Sequence, residues 1–128
     1  MTTAVTNGIR VSVVVRFASE RSDTKQGRYL FVYQITIANE GQHTVQLMRR
    51  HWHIWDSLAD VRQVEGPGVV GETPVLAPGE RFTYSSQCDL SSGLGRMAGT
   101  YTMRDGTSGT FFQVAVPAFM LCYPYLAN

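Results

Sequence analysis

Three glycines in the middle of the chain have the spacing G-x-G-x-x-G: Gly66, Gly68 and Gly71. Closely spaced glycines let backbone N–H groups converge on an anion, and this spacing binds pyrophosphate where a strand precedes it and a helix follows. Pro67 lacks an amide donor, and Glu72 adds a negative charge where the anion would dock. The pattern therefore favours a loop shaped by glycine backbone freedom, with phosphate binding as the alternative.

Two histidines alternate with other residues in the segment 49–56. If this segment is a strand, His51 and His53 lie on one side, and Trp52 and Asp56 lie on the other. Two imidazoles on one side could hold a divalent transition metal, but zinc sites use three or four protein ligands. The only obvious third ligand is distant His43 or an acidic residue that the pattern does not place, and the adjacent arginines repel cations. Solvated surface histidines are therefore the favoured interpretation.

No nucleophile in the chain has a recognisable base or activating motif beside it. The serines lack a nucleophile elbow, and Cys88 has no sequence neighbour that would lower its pKa. Cys88 and Cys122 are the two cysteines, and we interpret both as reduced thiols that behave as small apolar side chains. We therefore expect no enzymatic activity, no catalytic residue, no bound metal and no cofactor.

The composition is that of one compact domain covering residues 1–128. The formal net charge is +1 and only Lys25 is a lysine, so the chain lacks the excess basic charge of a nucleic-acid binder. The N-terminus has no signal-peptide pattern, and no apolar run is long enough for membrane insertion. These features predict a cytoplasmic protein.

Alternation of apolar and polar residues predicts strands throughout the chain. Residues 9–17 and 29–37 could pair as a hairpin across a polar loop at 19–28. Residues 43–57 fit either a strand or a helical period, and their β-branched and aromatic content favours a strand. A type II turn is predicted at Pro78 and Gly79. Further strands are predicted at 61–64, 82–86, 97–103 and 112–116, the last one ending before Pro117.

About seven strands and no helix pattern indicate an all-β fold, a single antiparallel β-sandwich. A small closed barrel is the architectural alternative, because alternation alone does not distinguish it from two packed sheets.

Five motifs match a known bacterial family of about this length. They are Tyr33-x-Ile35-x-Ile37-x-Asn39-x-Gly41, Arg50-His51-Trp52-x-Ile54-x-Asp56, Gly66-x-Gly68-Val69-Val70-Gly71-Glu72-x-Pro74-x-Leu76-x-Pro78-Gly79-Glu80-x-Phe82-x-Tyr84-x-Ser86, Gly95-x-Met97-x-Gly99-x-Tyr101-x-Met103 and Pro117-x-Phe119-x-Leu121. On these residues the chain resembles the ApaG family, also called CorD. The resemblance implies an immunoglobulin-like or fibronectin type III-like sandwich. It also implies a link to cobalt tolerance and magnesium efflux, with related eukaryotic domains that look like protein-interaction modules.

We therefore expect a non-enzymatic binding or regulatory module that acts on an unidentified protein partner. The expected working surface comprises Gly66, Gly68, Gly71 and Glu72 with Arg62 and Arg81, and the neighbouring strand with His51, Trp52, His53 and Asp56. One alternative is a phosphate-ligand binder, or a hydrolase of nucleotides, that uses the glycine loop. Another is a direct sensor of cobalt or magnesium, although His53 falls on a position that the family pattern leaves open.

Overall fold

The computed structural model describes residues 1–125, which form nine strands and two short 3-10 turns. The strands are β1 Thr2–Thr6, β2 Ile9–Phe17, β3 Tyr29–Asn39, β4 Val45–Asp56, β5 Ala59–Pro67, β6 Val75–Leu76, β7 Arg81–Leu90, β8 Leu94–Asp105 and β9 Phe111–Cys122. The 3-10 turns, at Ser19–Arg21 and Thr24–Gln26, lie in the segment predicted to be a polar loop. In residues 1–125, no helix is long and apolar enough to span a bilayer.

Two antiparallel sheets form the predicted all-β sandwich. One has the order β1-β2-β3-β7 and the other β5-β4-β8-β9, with β6 paired to β4. The β2–β3 hairpin is confirmed, whereas the sequence pattern did not predict β1 or β6. Between the sheets lies one apolar core, with contributions from Ile9, Val11, Val13, Phe31, Tyr33, Ile35, Ile37, Leu47, Trp52, Ile54, Met97, Tyr101, Met103, Val114, Val116, Phe119 and Leu121.

Strand β4 contains a bulge that explains why its sequence fits two periods. Val45 and Leu47 are buried at odd positions, whereas Trp52 and Ile54 are buried at even ones. The register with β8 shifts between Leu47 and Arg49, so the extra residue transfers the inward face from one parity to the other. As a result, an arginine at position 50 lies on the inward face.

Strand β9 continues past the proline that was predicted to end it. Gly99 pairs with Val116 and Met97 pairs with Phe119, so two residues of β9, one of them Pro117, lie opposite a single residue of β8. A bulge tolerates proline because the missing N–H is not needed there. The prediction that the strand ends before Pro117 is therefore wrong.

The connections at the ends of the strands follow their turn chemistry. Gly79 has φ 90°, and the Glu80 N–H donates to the Ala77 carbonyl at 2.9 Å, as the predicted type II turn requires.

Strand β5 extends over nine residues, well beyond the short strand predicted at 61–64. The length of β5 matters because this strand forms one edge of its sheet.

A carboxylate joins two loops at one end of the sandwich. Asp105 Oδ2 lies 2.8 Å from His43 Nδ1, and Asp105 Oδ1 accepts from the amides of Thr107 and Ser108. The hydrogen bond with His43, followed by those from the Ser108 and Thr107 amides, lowers the pKa of Asp105 to about 2. The folded state therefore favours the ionised form of this carboxylate.

Asp105 is expected to make the protein less stable in acid. Its pKa is lower in the folded than in the unfolded state, where it is about 3.9, so protonation favours unfolding. The contribution of Asp105 is complete above about pH 4 and is lost as the pH falls towards about 2. Urea unfolding at several pH values should show a smaller loss in this window for Asp105→Asn than for the unsubstituted protein. Parallel curves would show that the carboxylate does not contribute.

Candidate functional site

The two sheets leave a cleft on one side of the sandwich. On the opposite side, the Ala115 N–H of β9 donates to the Thr6 hydroxyl of β1 and joins the sheets. On the open side, the edge strands β5 and β7 flank a cavity of about 210 Å³. We call this cavity the cleft, and its lining includes Tyr33, Arg50, Trp52, Arg62, Val64, Val69, Val70, Tyr84, Cys88 and Asp89.

The glycine loop forms one end of the cleft. Gly68 and Gly71 have φ 63° and 81°, the left-handed conformation that glycine adopts without steric cost, as the structural interpretation predicts. Gly66 has a different role, because a Cβ there would lie 3.3 Å from Arg50 Nη1. The first glycine of the motif therefore leaves room for an arginine side chain.

Val70 lies in an unfavourable backbone conformation at the tip of this loop. Reciprocal 2.9 Å hydrogen bonds between Val69 and Glu72 close a two-residue turn with Val70 and Gly71 at its centre. Both central residues have positive φ, 43° for Val70, which is the pattern of a type I′ turn. Asn-Gly is the preferred pair in such a turn, and a β-branched residue is a genuine outlier there. The Val70 side chain is nevertheless 54% exposed.

Replacing Val70 with asparagine is expected to stabilise the domain by about 1 kcal/mol, because asparagine tolerates this conformation. The exposed valine loses little burial in the exchange. Urea unfolding should show a higher midpoint for Val70→Asn with an unchanged slope. A lower midpoint would mean that the backbone at position 70 imposes no cost on valine.

The loop uses its backbone amides within the protein. The Gly68 N–H donates to the Met48 carbonyl, while the amides of Val69 and Glu72 donate to each other's carbonyls, all at 2.9 Å. Pro67 has no N–H. A phosphate group would therefore not find these donors available, and the geometry favours the structural interpretation of the motif over an anion cradle.

Arg50 extends from β4 across the loop. Its Nη1 donates to the carbonyls of Pro67 at 3.0 Å and Gly68 at 3.1 Å. Its side chain is partly buried and lines the cleft. Sequence reasoning did not select Arg50 as a site residue, because the β4 bulge that turns it inward is not evident from the alternation pattern.

Arg62 bridges the open side of the sandwich. Its Nη1 lies 3.4 Å from Asp89 Oδ1, and its Nη2 donates to the Asp89 carbonyl of β7. Cys88 is buried beside it, and burial raises the pKa of the Cys88 thiol to about 11, so this thiol is unreactive. Cys122 is exposed rather than part of the apolar interior. Arg81, also predicted for this surface, is not part of the cleft lining.

Tyr33, Tyr84 and Trp52 line the floor of the cleft, and the fully buried Tyr101 lies behind them. The hydroxyls of Tyr84 and Tyr101 lie 2.5 Å apart, and Trp52 packs edge-to-face against Tyr33 and Tyr101. Burial raises the pKa of both Tyr84 and Tyr101 above the usual range, so these phenols stay neutral. Trp52, expected on the working surface, is therefore buried and contributes to the cleft floor.

The two histidines lie on the outer face of the same sheet, on the other side from Trp52. His51 and His53 stack at 4.7 Å, and His53 stacks on Trp55, whose ring is covered by Arg96. His51 Nε2 is paired with Gln63. Within the part of the chain that the structure describes, no group of three or more acidic, histidine or cysteine side chains is arranged to hold a metal ion.

Asp56 joins two turns at the end of its strand. Its carboxylate accepts from the amides of Ser91 and Leu58 and from the Ser92 hydroxyl. Partial burial raises the pKa of Asp56, but the hydrogen bonds from Ser91, Ser92 and Leu58 outweigh it and lower the pKa overall. This residue therefore has a structural role, separate from both the histidines and the cleft.

These features define a class: an all-β sandwich domain of two antiparallel sheets, open along one side and closed at one end of the opening by a glycine loop. A sequence model of the ApaG domain matches residues 19–105. The chain is 48% identical over 121 residues to the protein ApaG of Brucella anthropi, covering 94% of this chain and 92% of that one. It is 46% identical over 123 residues to ApaG of a Methylobacterium species, covering 96% and 94%.

A solved structure agrees with these sequence matches. A crystal structure of a Bordetella pertussis protein superposes with a TM-score of 0.87 at 43% identity, covering 91% of this chain and 94% of that one. The chain therefore belongs to the ApaG family, as its motifs predicted. A structure from Archaeoglobus fulgidus, at 13% identity and a TM-score of 0.52, shares the fold.

Proposed function

We propose that this domain is a non-enzymatic binding module that takes a protein segment along the edge of β5 at the cleft. The observation that carries the proposal is Val70, a β-branched residue held at φ 43° with its side chain 54% exposed. Backbone strain of about 1 to 3 kcal/mol persists where the surrounding structure imposes it, and it clusters at binding sites. An exposed apolar side chain in such a position favours contact with a partner.

The edge of β5 supports this proposal. The strand pairs with β4 on one side, and no strand within residues 1–125 pairs with its other edge. An unpaired edge offers a row of backbone donors and acceptors to an incoming extended segment. Val61 and Val64 are exposed on this strand, which supplies apolar contacts on both of its faces.

The role of the partner follows from the family resemblance. The ApaG family is associated with cobalt tolerance and magnesium efflux, so we propose a partner that takes part in divalent-cation homeostasis in the cytoplasm. The nucleotide-binding alternative has less support, because the amides of Gly68, Val69 and Glu72 are already engaged within the protein.

The experiment complements a deletion of the gene with variants and measures growth in cobalt and magnesium efflux. Val70→Asn should fail to restore either one, even though it unfolds at higher urea than the unsubstituted protein. The matched control is Val14→Asn, which removes a valine of similar exposure, 51%, from the outer face of β2. Full complementation by Val70→Asn would contradict the proposal, and its higher stability excludes unfolding as the cause of a failure.

A further inference from the structure

We propose that the segment bound along β5 carries a carboxylate side chain that pairs with Arg50. This inference rests on the proposed function, because it names the chemistry of the partner at the same edge. It follows from three observations: the hydrogen bonds of the Arg50 guanidinium, the space beside Gly66 that the guanidinium occupies, and the charges around it.

The Arg50 guanidinium is only partly satisfied within the protein. Nη1 donates to the carbonyls of Pro67 and Gly68, and neither Nε nor Nη2 has an acceptor among residues 1–125. None of the ion pairs formed within that range includes Arg50. Asp89, the carboxylate in the cleft lining, pairs with Arg62 and not with Arg50. The partly buried charge of Arg50 is therefore an incomplete pair, and a charged acceptor would complete it.

Gly66 gives this charge access to the free edge of the sheet. Gly66 lies directly opposite Arg50 in the β4–β5 ladder. A Cβ on Gly66 would lie 3.3 Å from Nη1 and 3.6 Å from Nη2, so the guanidinium lies over the β5 backbone. A strand added to the edge would lie about 4.8 Å beyond β5, and its inward-facing side chain at this level could reach the guanidinium.

The neighbouring positions specify the rest of the bound segment. Val64 is the next residue of β5 on the same face, opposite Trp52, and it presents an exposed apolar surface at the cleft. Arg62 comes next, but its charge is already paired with Asp89. Because side chains alternate along a strand, a segment that pairs antiparallel with β5 should have an acidic residue at the level of Gly66, followed two positions later by an apolar one at the level of Val64.

A singly charged carboxylate fits this site better than a phosphate. The two N–H-bearing nitrogens of Arg50 that have no acceptor within residues 1–125 match the two oxygens of a carboxylate. Glu72 on the loop and Asp89 in the cleft lining add negative charge, which repels a doubly charged group more strongly than a singly charged one. The ligand is therefore an acidic side chain of an extended segment.

The test compares three fluorescent peptides of about ten residues in which every second residue is a threonine, so that the residues between the threonines share one face of an extended strand. They differ at one inward position, which holds Glu, Gln or Lys, and share a valine two positions later. Fluorescence anisotropy at low salt should give the Glu peptide an affinity about tenfold higher than that of the Gln peptide, and the Lys peptide the weakest binding. The preference for Glu should disappear in Arg50→Gln and persist in Arg49→Gln, which removes the exposed neighbouring charge.

Each outcome decides the inference. Equal affinities of the three peptides for the unsubstituted protein would overturn carboxylate recognition. If Val70→Asn then weakened all three peptides equally, binding at the β5 edge would still hold. A preference for Glu that survives Arg50→Gln would also overturn the inference, as would the absence of binding by any peptide. If Arg50→Gln does not fold, the ranking of the three peptides on the unsubstituted protein still decides carboxylate recognition, and loss of the preference in Arg49→Gln would overturn its assignment to Arg50. The complementation experiment judges the proposed function separately.

Discussion

Replacement of Asn39 by alanine should lower the free energy of unfolding by about 3 to 5 kcal/mol, since three hydrogen bonds of a buried amide are lost. The Asn39 residue is 1% exposed. Its Nδ2 donates to the carbonyls of His43 at 2.8 Å and Leu76 at 2.9 Å, and its Oδ1 accepts from the Gly41 N–H at 2.9 Å. Alanine would leave these groups without their partner, and an unpaired buried polar group costs about 1 to 3 kcal/mol.

The measurement is urea unfolding of Asn39→Ala with Asn39→Asp as the matched variant. Aspartate keeps the size and the acceptor for Gly41, but it places a carboxylate oxygen against the carbonyls of His43 and Leu76. We therefore expect Asn39→Asp to be at least as destabilised near neutral pH. A loss below about 1 kcal/mol for the alanine variant would show that water replaces the amide in this position.

Asn39 also has a consequence for the cleft. Leu76 belongs to β6, the short strand that ends the segment containing the glycine loop. Through Leu76, the amide of Asn39 fixes the far end of that segment, while Arg50 fixes the near end through Pro67 and Gly68. The position of Val70 therefore depends on polar contacts at both ends of the loop.

The strands that could be predicted from sequence are those with unbroken alternation. In β2 and β3 one parity is buried along most of the strand, so the sequence pattern and the core agree. In β4 and β9 a bulge changes which positions, odd or even, are buried. No residue type near Met48 predicts the bulge in β4. The inward orientation of Arg50 depends on that bulge, which is why the residue was not selected as part of the site.

The cleft could not be predicted for a different reason. It lies between β5 and β7, which belong to different sheets and are bridged by Arg62, which contacts Asp89 and Cys88. Alternation predicts which side of a strand is buried, but not which edges of two sheets remain apart. The strain at Val70 could not be predicted either, because Val-Gly is not the Asn-Gly pair that marks a two-residue turn of this type.

Replacement of Gly68 by alanine is expected to cost about 3 kcal/mol of stability, a loss with two separate causes. At φ 63° an L side chain is strained by about 1 to 2 kcal/mol. In addition, a Cβ on Gly68 would overlap the carbonyl oxygen of Glu72, which accepts the Val69 N–H. Because that atom belongs to the backbone, the turn has to open and its reciprocal hydrogen bonds weaken.

Gly71→Ala is the matched control for this prediction. Gly71 has a similar positive φ of 81°, but a Cβ there would meet no atom within 4 Å. Its substitution should therefore cost only the conformational strain, about 1 kcal/mol, in the same urea unfolding experiment. Equal losses for the two variants would mean that the loop relaxes around Glu72 without cost. In that case the turn is too deformable to hold Val70 at positive φ, and the argument from strain to binding fails with it.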